Sequence, residues 1–119
     1  VVKDVNQKSL KEITIELNEL VNKARKNSLS VDDISGGCFT ISSLGNIGGQ
    51  FFTPIINPPE VAILGISTIT TKPILKENKF TARKILPISL SYDHRVINGA
   101  DAAKFTTMFS KLIETPDKL

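Results

Sequence analysis

Residues 91–99 read Ser91-Tyr92-Asp93-His94-Arg95-Val96-Ile97-Asn98-Gly99, and this run joins a predicted strand to a predicted helix. It contains the single histidine of the chain, and Asn98 follows four residues later as a candidate helix N-cap. An imidazole in a short constrained loop, with a polar amide close behind it, has what a general base needs. The spacing also fits a surface turn residue at His94 and a simple cap at Asn98, so spacing alone does not decide between the two.

The residues before this run predict one long helix and one short strand. Ser9 and Glu12 have the capping-box spacing of a helix start, and we expect this helix over residues 9–27. Its apolar residues recur at helical spacing and form one stripe, which consists of Leu10, Ile13, Leu17, Leu20, Val21 and Ala24. Around it we expect a strand or extended arm at residues 1–5, a short helical turn at 30–33, a strand at 38–42 and a glycine-rich loop at 43–49.

The prolines and β-branched residues that follow predict extended structure up to His94. Prolines at 54, 58 and 59 favour an extended segment over residues 53–59. Asn98 and Asp101 supply acceptors for the start of a helix whose apolar face is Ala102, Phe105, Met108, Phe109, Leu112 and Ile113, and which ends at Pro116. Between the proline-containing segment and this helix we expect a strand buried on both faces at 61–71. We also expect a segment at 73–76 that pairs with 79–91 through a turn at Glu77-Asn78.

Composition indicates one soluble globular domain. The chain has 119 residues, 40% of them hydrophobic, and a net charge of +3. It has no apolar run of membrane-spanning length, its first residues lack the charged and apolar pattern of a signal peptide, and it begins at Val1 as if excised from something longer. Cys38 is the only cysteine, which favours a reducing compartment. The pI near 9.1 comes from dispersed lysines, which argues against a nucleic-acid partner.

Other site chemistries fit the residues less well. A serine hydrolase would need a nucleophile elbow such as Gly-x-Ser-x-Gly, whereas Ser42 lies in Thr-Ile-Ser-Ser-Leu. Cys38 could be a nucleophile paired with His94 as its base, but a lone cysteine beside Phe39 is more typical of a small core residue. One histidine and one cysteine do not make a metal site. Glycines 45, 48 and 49 lack the Lys-Ser/Thr ending of a phosphate loop and favour a tight connection.

Three collinear motifs resemble one enzyme family. The run from Ser91 to Ala100 resembles the Asp-His-Arg-x-x-Asp/Asn-Gly signature of the 2-oxo acid dehydrogenase acyltransferases, the dihydrolipoamide acyltransferase cores of multienzyme complexes. Residues 39–45 resemble the Phe-Thr-Ile/Val-Ser-Asn-Leu-Gly segment of that family, and residues 53–65 resemble its central block. The chain departs from the family pattern at Asn98, where most members have Asp, and at Ser43, where Asn is usual.

The resemblance implies an α/β (α+β) fold like that of chloramphenicol acetyltransferase, a mixed sheet flanked by helices, present as a partial domain. It implies transfer of an acyl group from reduced lipoamide to coenzyme A. His94 would be the general base, Ser42 would donate to the oxyanion, and Asn98 would orient the site. Ser42-Ser43-Leu44-Gly45 and Asn98 look most like members from pyruvate dehydrogenase complexes, so acetyl is the expected group, with succinyl and branched-chain groups as alternatives.

The resemblance also implies partners and context. Residues 1–119 would be the C-terminal half of the catalytic domain, without a lipoyl or peripheral-subunit-binding domain. Coenzyme A would be a substrate, and the lipoyl group would be carried on an upstream domain. Subunits would form homotrimers that assemble into a larger core with the dehydrogenase and dihydrolipoamide dehydrogenase components, without nucleic acid or membrane. The expected compartment is the bacterial cytoplasm, with the mitochondrial matrix as the alternative, and a non-catalytic assembly fragment is the competing function.

Overall fold

The structure, a computed structural model, describes residues 1–45 and 47–115. These residues divide into two compact units, one of residues 1–38 and one that begins at Phe39. In order, the helices and strands are α1 (Leu10–Arg25), α2 (Val31–Ile34), β1 (Thr40–Ser43), β2 (Ala62–Ile66), β3 (Thr70–Lys76), β4 (Lys79–Ile85), β5 (Ile88–Tyr92) and α3 (Gly99–Glu114). Helices and strands both occur, so the mixed α/β class expected from the sequence is confirmed.

The first unit is built around α1. The backbone N–H of Glu12 donates to Ser9 Oγ, and the Glu12 carboxylate accepts from the N–H of Ser9, so the predicted capping box is present. The helix ends at Arg25, and Asn27 then turns the chain in the left-handed region at φ 51°. The predicted short helix is also present as α2, with Ser30 and Asp33 forming a second capping box.

Two expectations for the first unit are wrong. The predicted extended arm ends before Val5, because Asp4 adopts a left-handed φ of 50° and residues Val5–Gln7 form a 3-10 turn. The N–H of Gln7 closes this turn on the carbonyl of Asp4 at 2.9 Å. Cys38, expected in the core, is exposed.

The second unit contains a three-stranded sheet in the order β1-β2-β5 and a separate two-stranded sheet of β3 and β4. Strand β1 runs parallel to β2, whereas β5 runs antiparallel to β2. Helix α3 packs against β5 and buries Ala102. Among the residues that the structure describes, the buried hydrophobic side chains are Ala62, Ile63, Leu64 and Ala102, so β2 lies at the centre of the core.

Both long predicted strands are interrupted in the structure. The run 61–71 splits into β2 and β3 where Ser67 faces Pro87: the N–H of Ser67 donates to the carbonyl of Pro87 at 3.1 Å, but Pro87 has no N–H to return the bond, so the ladder with β5 ends there. The run 79–91 splits into β4 and β5 on either side of Pro87, which has no N–H to donate to a strand ladder. Burial on both faces, predicted for the whole first run, is found in β2 alone.

The remaining predictions are close to the structure. The hairpin turn at Glu77-Asn78 is confirmed, with φ values of 50° and 60° at its two central residues. Strand β1 lies one to two residues later than predicted, and residues 53–59 form no helix or strand. Helix α3 begins after Asn98 as expected and ends at Glu114, while Pro116 lies outside the described residues. None of the helices in the described ranges is long and apolar enough to cross a bilayer.

Candidate active site

The loop after β5 presents His94 at its exposed apex. The backbone of Asp93 fixes this loop at both ends: its N–H donates to the carbonyl of Val61 at 2.8 Å, and its carbonyl accepts from Val96 and Ile97 at 3.0 and 2.9 Å. The His94 side chain is exposed and has no hydrogen-bond partner among the residues that the structure describes. A rigid turn therefore holds an imidazole whose two nitrogens are both accessible to a substrate.

An ion pair braces the same turn from outside. Arg95 Nε donates to both carboxylate oxygens of Asp93, at 2.9 and 3.1 Å, and Arg95 Nη2 donates to Oδ2 at 2.6 Å. The hydrogen bonds from the Arg95 side chain, followed by the one from its backbone N–H, lower the pKa of Asp93 to about 2. Both side chains are thus occupied with each other and hold the loop.

Two neighbours fix the position of the His94 loop. The ring of Tyr92 lies beside the imidazole with 5.7 Å between the ring centroids and an angle of 40° between the planes. On the other side, Asn98 is the N-cap of α3: its Oδ1 accepts from the N–H of Asp101 at 2.9 Å, and its Nδ2 donates to Asp101 Oδ2 at 2.7 Å. The amide of Asn98 therefore anchors the loop to the helix, and both of its polar groups serve as the cap.

Ser42 lies in β1, half-buried, directly opposite Gly65 of β2. Paired residues in neighbouring strands project their side chains to the same face of a sheet, so the Ser42 side chain lies on the face where Gly65 has none. The ring of Phe52 occupies that place: a Cβ built on Gly65 would lie 2.8 Å from Phe52 Cζ. Ser43 is exposed beside it, and its hydroxyl accepts from the N–H of Gly45 at 3.5 Å.

Within one chain the structure does not bring His94 and Ser42 together. Strand β5 is antiparallel to β1, so its carboxyl end lies at the opposite end of the sheet from Ser42. The N–H of Asp93 donates to the carbonyl of Val61, which lies four residues before Gly65 in the sequence. Asp93 directly follows β5, which is two strands away from the β1 strand of Ser42. Standard strand dimensions place the Cα atoms of Ser42 and Asp93 roughly 15 Å apart.

The local sequence identifies the residues with reactive groups, but not the placement of Phe52 against Gly65. The available signal was Gly65, since a glycine inside a buried strand often marks the close approach of another group. Nothing in the local sequence, however, connects position 52 with position 65. Across residues 1–45 and 47–115 no cluster of three or more His, Cys, Asp or Glu side chains could hold a metal ion.

Comparison with known proteins assigns this arrangement to a family. The model of the 2-oxoacid dehydrogenases acyltransferase (catalytic domain) family matches residues 1–119. The dihydrolipoyllysine-residue acetyltransferase component of the pyruvate dehydrogenase complex of Buchnera aphidicola subsp. Acyrthosiphon pisum is 56% identical over 113 residues, which are 95% of this chain and 28% of that protein. The component of the same name from Pseudomonas aeruginosa is 55% identical, over 95% of this chain and 21% of that protein.

Solved structures share the fold. A dihydrolipoamide acetyltransferase of Azotobacter vinelandii, investigated for the role of a serine, a histidine and an asparagine in its catalytic mechanism, matches with a TM-score of 0.90 and 53% identity over 93% of this chain and 46% of that one. The cubic core of a pyruvate dehydrogenase multienzyme complex matches with a TM-score of 0.89 and 55% identity over 92% of this chain and 45% of that one. The chain thus spans about half the length of these solved chains and about a quarter of the length of the curated relatives.

Proposed function

Because the chain belongs to the 2-oxoacid dehydrogenase acyltransferase (catalytic domain) family, we propose that it serves the transfer of an acetyl group from acetyl-dihydrolipoamide to coenzyme A in a pyruvate dehydrogenase complex. One observation carries this proposal. The serine, histidine and asparagine investigated in the Azotobacter vinelandii enzyme have the same sequence spacing as Ser42, His94 and Asn98. In this proposal residues 1–119 make up the C-terminal half of the catalytic domain.

The proposed chemistry needs one base and one hydrogen-bond donor. His94 takes the proton of the coenzyme A thiol while the sulfur attacks the thioester carbonyl. The hydroxyl of Ser42 donates to the oxyanion of the tetrahedral intermediate, where one such donor contributes roughly 3 kcal/mol. When the intermediate collapses, the C–S bond to dihydrolipoamide breaks and its sulfur takes the proton back from His94. No acyl-enzyme forms, and Asn98 positions the loop of the base rather than touching the substrate.

The separation of His94 and Ser42 supports a site shared between two copies of the chain. The two residues lie at opposite ends of the β1-β2-β5 sheet, so the serine of one copy can meet the histidine of its neighbour if the copies are arranged in a ring. We propose a homotrimer of this kind, assembled into a larger core that works with the dehydrogenase and dihydrolipoamide dehydrogenase components. The similarity to a cubic core supports that assembly.

Mixing two inactive variants tests both the residues and the shared site. His94→Ala is expected to lose at least about a hundredfold in acetyl transfer, and Ser42→Ala to lose turnover with nearly unchanged affinity for coenzyme A. If the two variants are unfolded and refolded together in equal amounts, one interface in four combines both native residues, and activity should return to about a quarter of that of the unsubstituted protein.

The separately refolded variants are the control, and they should stay inactive. Failure of the mixture to recover activity, although hybrids are detected by mass spectrometry, would place both residues of each site in one chain. A His94→Ala protein with full activity would remove the imidazole from the mechanism. An assembled protein without any transfer would leave the assembly role as the function.

A further inference from the structure

The ring of Phe52 packs so close to Gly65 that no residue with a Cβ atom would fit at position 65 without a shift. Its Cζ, Cε1 and Cε2 atoms lie 2.8, 3.2 and 3.3 Å from the position of a Cβ at Gly65. Gly65 is buried and Phe52 is half-buried, so the backbone of β2 supports the ring from below. The ring therefore has no room to withdraw further into the sheet.

This ring borders the space in front of Ser42. Ser42 and Gly65 are directly paired, and the two positions lie one strand spacing apart, about 4.8 Å. Both face the side of the sheet on which the ring lies. A carbonyl oxygen that accepts a hydrogen bond from Ser42 Oγ therefore brings the rest of its acyl group close to Phe52.

One strand spacing between the two positions favours a small acyl group. A methyl group next to the carbonyl fits within that spacing, whereas a branched group of three carbons meets a ring that the β2 backbone prevents from withdrawing toward the sheet. Enzymes discriminate by roughly 10–200-fold for each methylene that a pocket accepts or rejects.

We propose that Phe52 is a specificity-determining residue that restricts the acyl group at Ser42 to acetyl. This inference rests on the proposed function, because it takes Ser42 as the donor to the oxyanion. Gly65 acts with Phe52 as the position that allows the ring to lie so close to the sheet.

The test compares two acyl donors in the full-length protein. The ratio of kcat/KM for S-isobutyryl-dihydrolipoamide to that for S-acetyl-dihydrolipoamide, with coenzyme A as acceptor, is measured for the unsubstituted protein and for Phe52→Ala. We expect the ratio to rise at least about tenfold. Phe52→Leu keeps more of the packing and should raise it by less, and it replaces Phe52→Ala if that variant does not fold.

Phe51→Ala is the matched control. Phe51 is the adjacent residue and also a phenylalanine, but it is 68% exposed and its ring lies 5.5 Å from Lys72 Nζ rather than against Gly65. Its substitution should leave the ratio unchanged. An unchanged ratio in the Phe52 variants, or an equal rise in Phe51→Ala, overturns the inference while acetyl transfer itself upholds the proposed function. Absence of acetyl transfer by the unsubstituted protein overturns both.

Discussion

Gly65→Ala is expected to destabilise the protein through a single steric conflict. The added methyl carbon would lie 2.8 Å from Phe52 Cζ, whereas ordinary contacts between carbon atoms are about 3.5–4.0 Å. The ring, the strand or both must therefore move by roughly 1 Å in a packed region. Overpacking of this kind costs about 1–3 kcal/mol of unfolding free energy.

A double-mutant cycle separates this conflict from general damage to β2. Unfolding by urea is measured for the unsubstituted protein, for Gly65→Ala, for Phe52→Ala and for the double variant. Phe52→Ala alone is destabilising because it removes a half-buried ring, but it also removes the atoms that the new methyl group would meet. The cost of Gly65→Ala should therefore nearly vanish in the Phe52→Ala background, which corresponds to a coupling energy of about 1–3 kcal/mol.

Gly45→Ala provides the matched glycine control. A Cβ at Gly45 would lie 3.6 Å from Ser43 Oγ and 3.9 Å from the carbonyl oxygen of Ser67, which are ordinary contacts, and its backbone lies outside the left-handed region. This substitution should leave stability unchanged or raise it by up to about 1 kcal/mol. If Gly65→Ala is as harmless as Gly45→Ala, or if its cost is the same with and without the ring of Phe52, the ring does not set the tolerance for a side chain at position 65.

Three further predictions concern the caps and the loop of the base. Asn98→Asp replaces the 2.7 Å hydrogen bond from Asn98 Nδ2 to Asp101 by two facing carboxylates, so the melting temperature should fall at pH 7, and an unchanged melting temperature would contradict this. The Asp93 carboxyl should titrate with a pKa of about 2 in an NMR experiment and return toward about 3.9 in Arg95→Ala; because its pKa is lowered by folding, the stability that it contributes is present near neutral pH and is lost as the pH falls through about 2. Ser9→Ala removes an N-cap acceptor and should cost about 1 kcal/mol in denaturant unfolding, and an unchanged midpoint would show that the cap is dispensable.

Helices were predicted well because their ends are encoded locally. Ser9 and Glu12 interact within one helical turn, and Asn98 and Asp101 do the same at the start of α3, so neither depends on the rest of the fold. Burial of the helices followed less closely from the pattern: α1 has no buried residue, and Ala102 alone is buried in α3. An apolar stripe predicts that a helix has an apolar face, but it does not predict that residues of the same chain bury that face.

Strand ends were predicted less well because distant contacts set them. Gly65 is the one residue between Val61 and Thr71 that disfavours a strand, yet it lies inside β2. The run is interrupted instead where Ser67 faces Pro87, which comes 20 residues later and has no N–H to return the hydrogen bond of Ser67. Pro87 itself was visible in the sequence as a residue that cannot donate to a ladder. The split between β4 and β5 could therefore have been predicted from residues 79–91, whereas the split between β2 and β3 could not.

The candidate site shows the same limit at the level of function. The loop of His94 and the segment of Ser42 each have a recognisable local sequence, but their relative position depends on the directions of three strands. Because β1 is parallel to β2 and β5 is antiparallel to it, the base and the proposed oxyanion donor face opposite ends of the sheet. Had β5 been parallel as well, both would lie at one end and a single copy could hold the whole site. The second copy that the proposed mechanism requires thus follows from the directions of the strands, which the sequence of either motif does not contain, and recovery of activity in mixed variants tests that requirement directly.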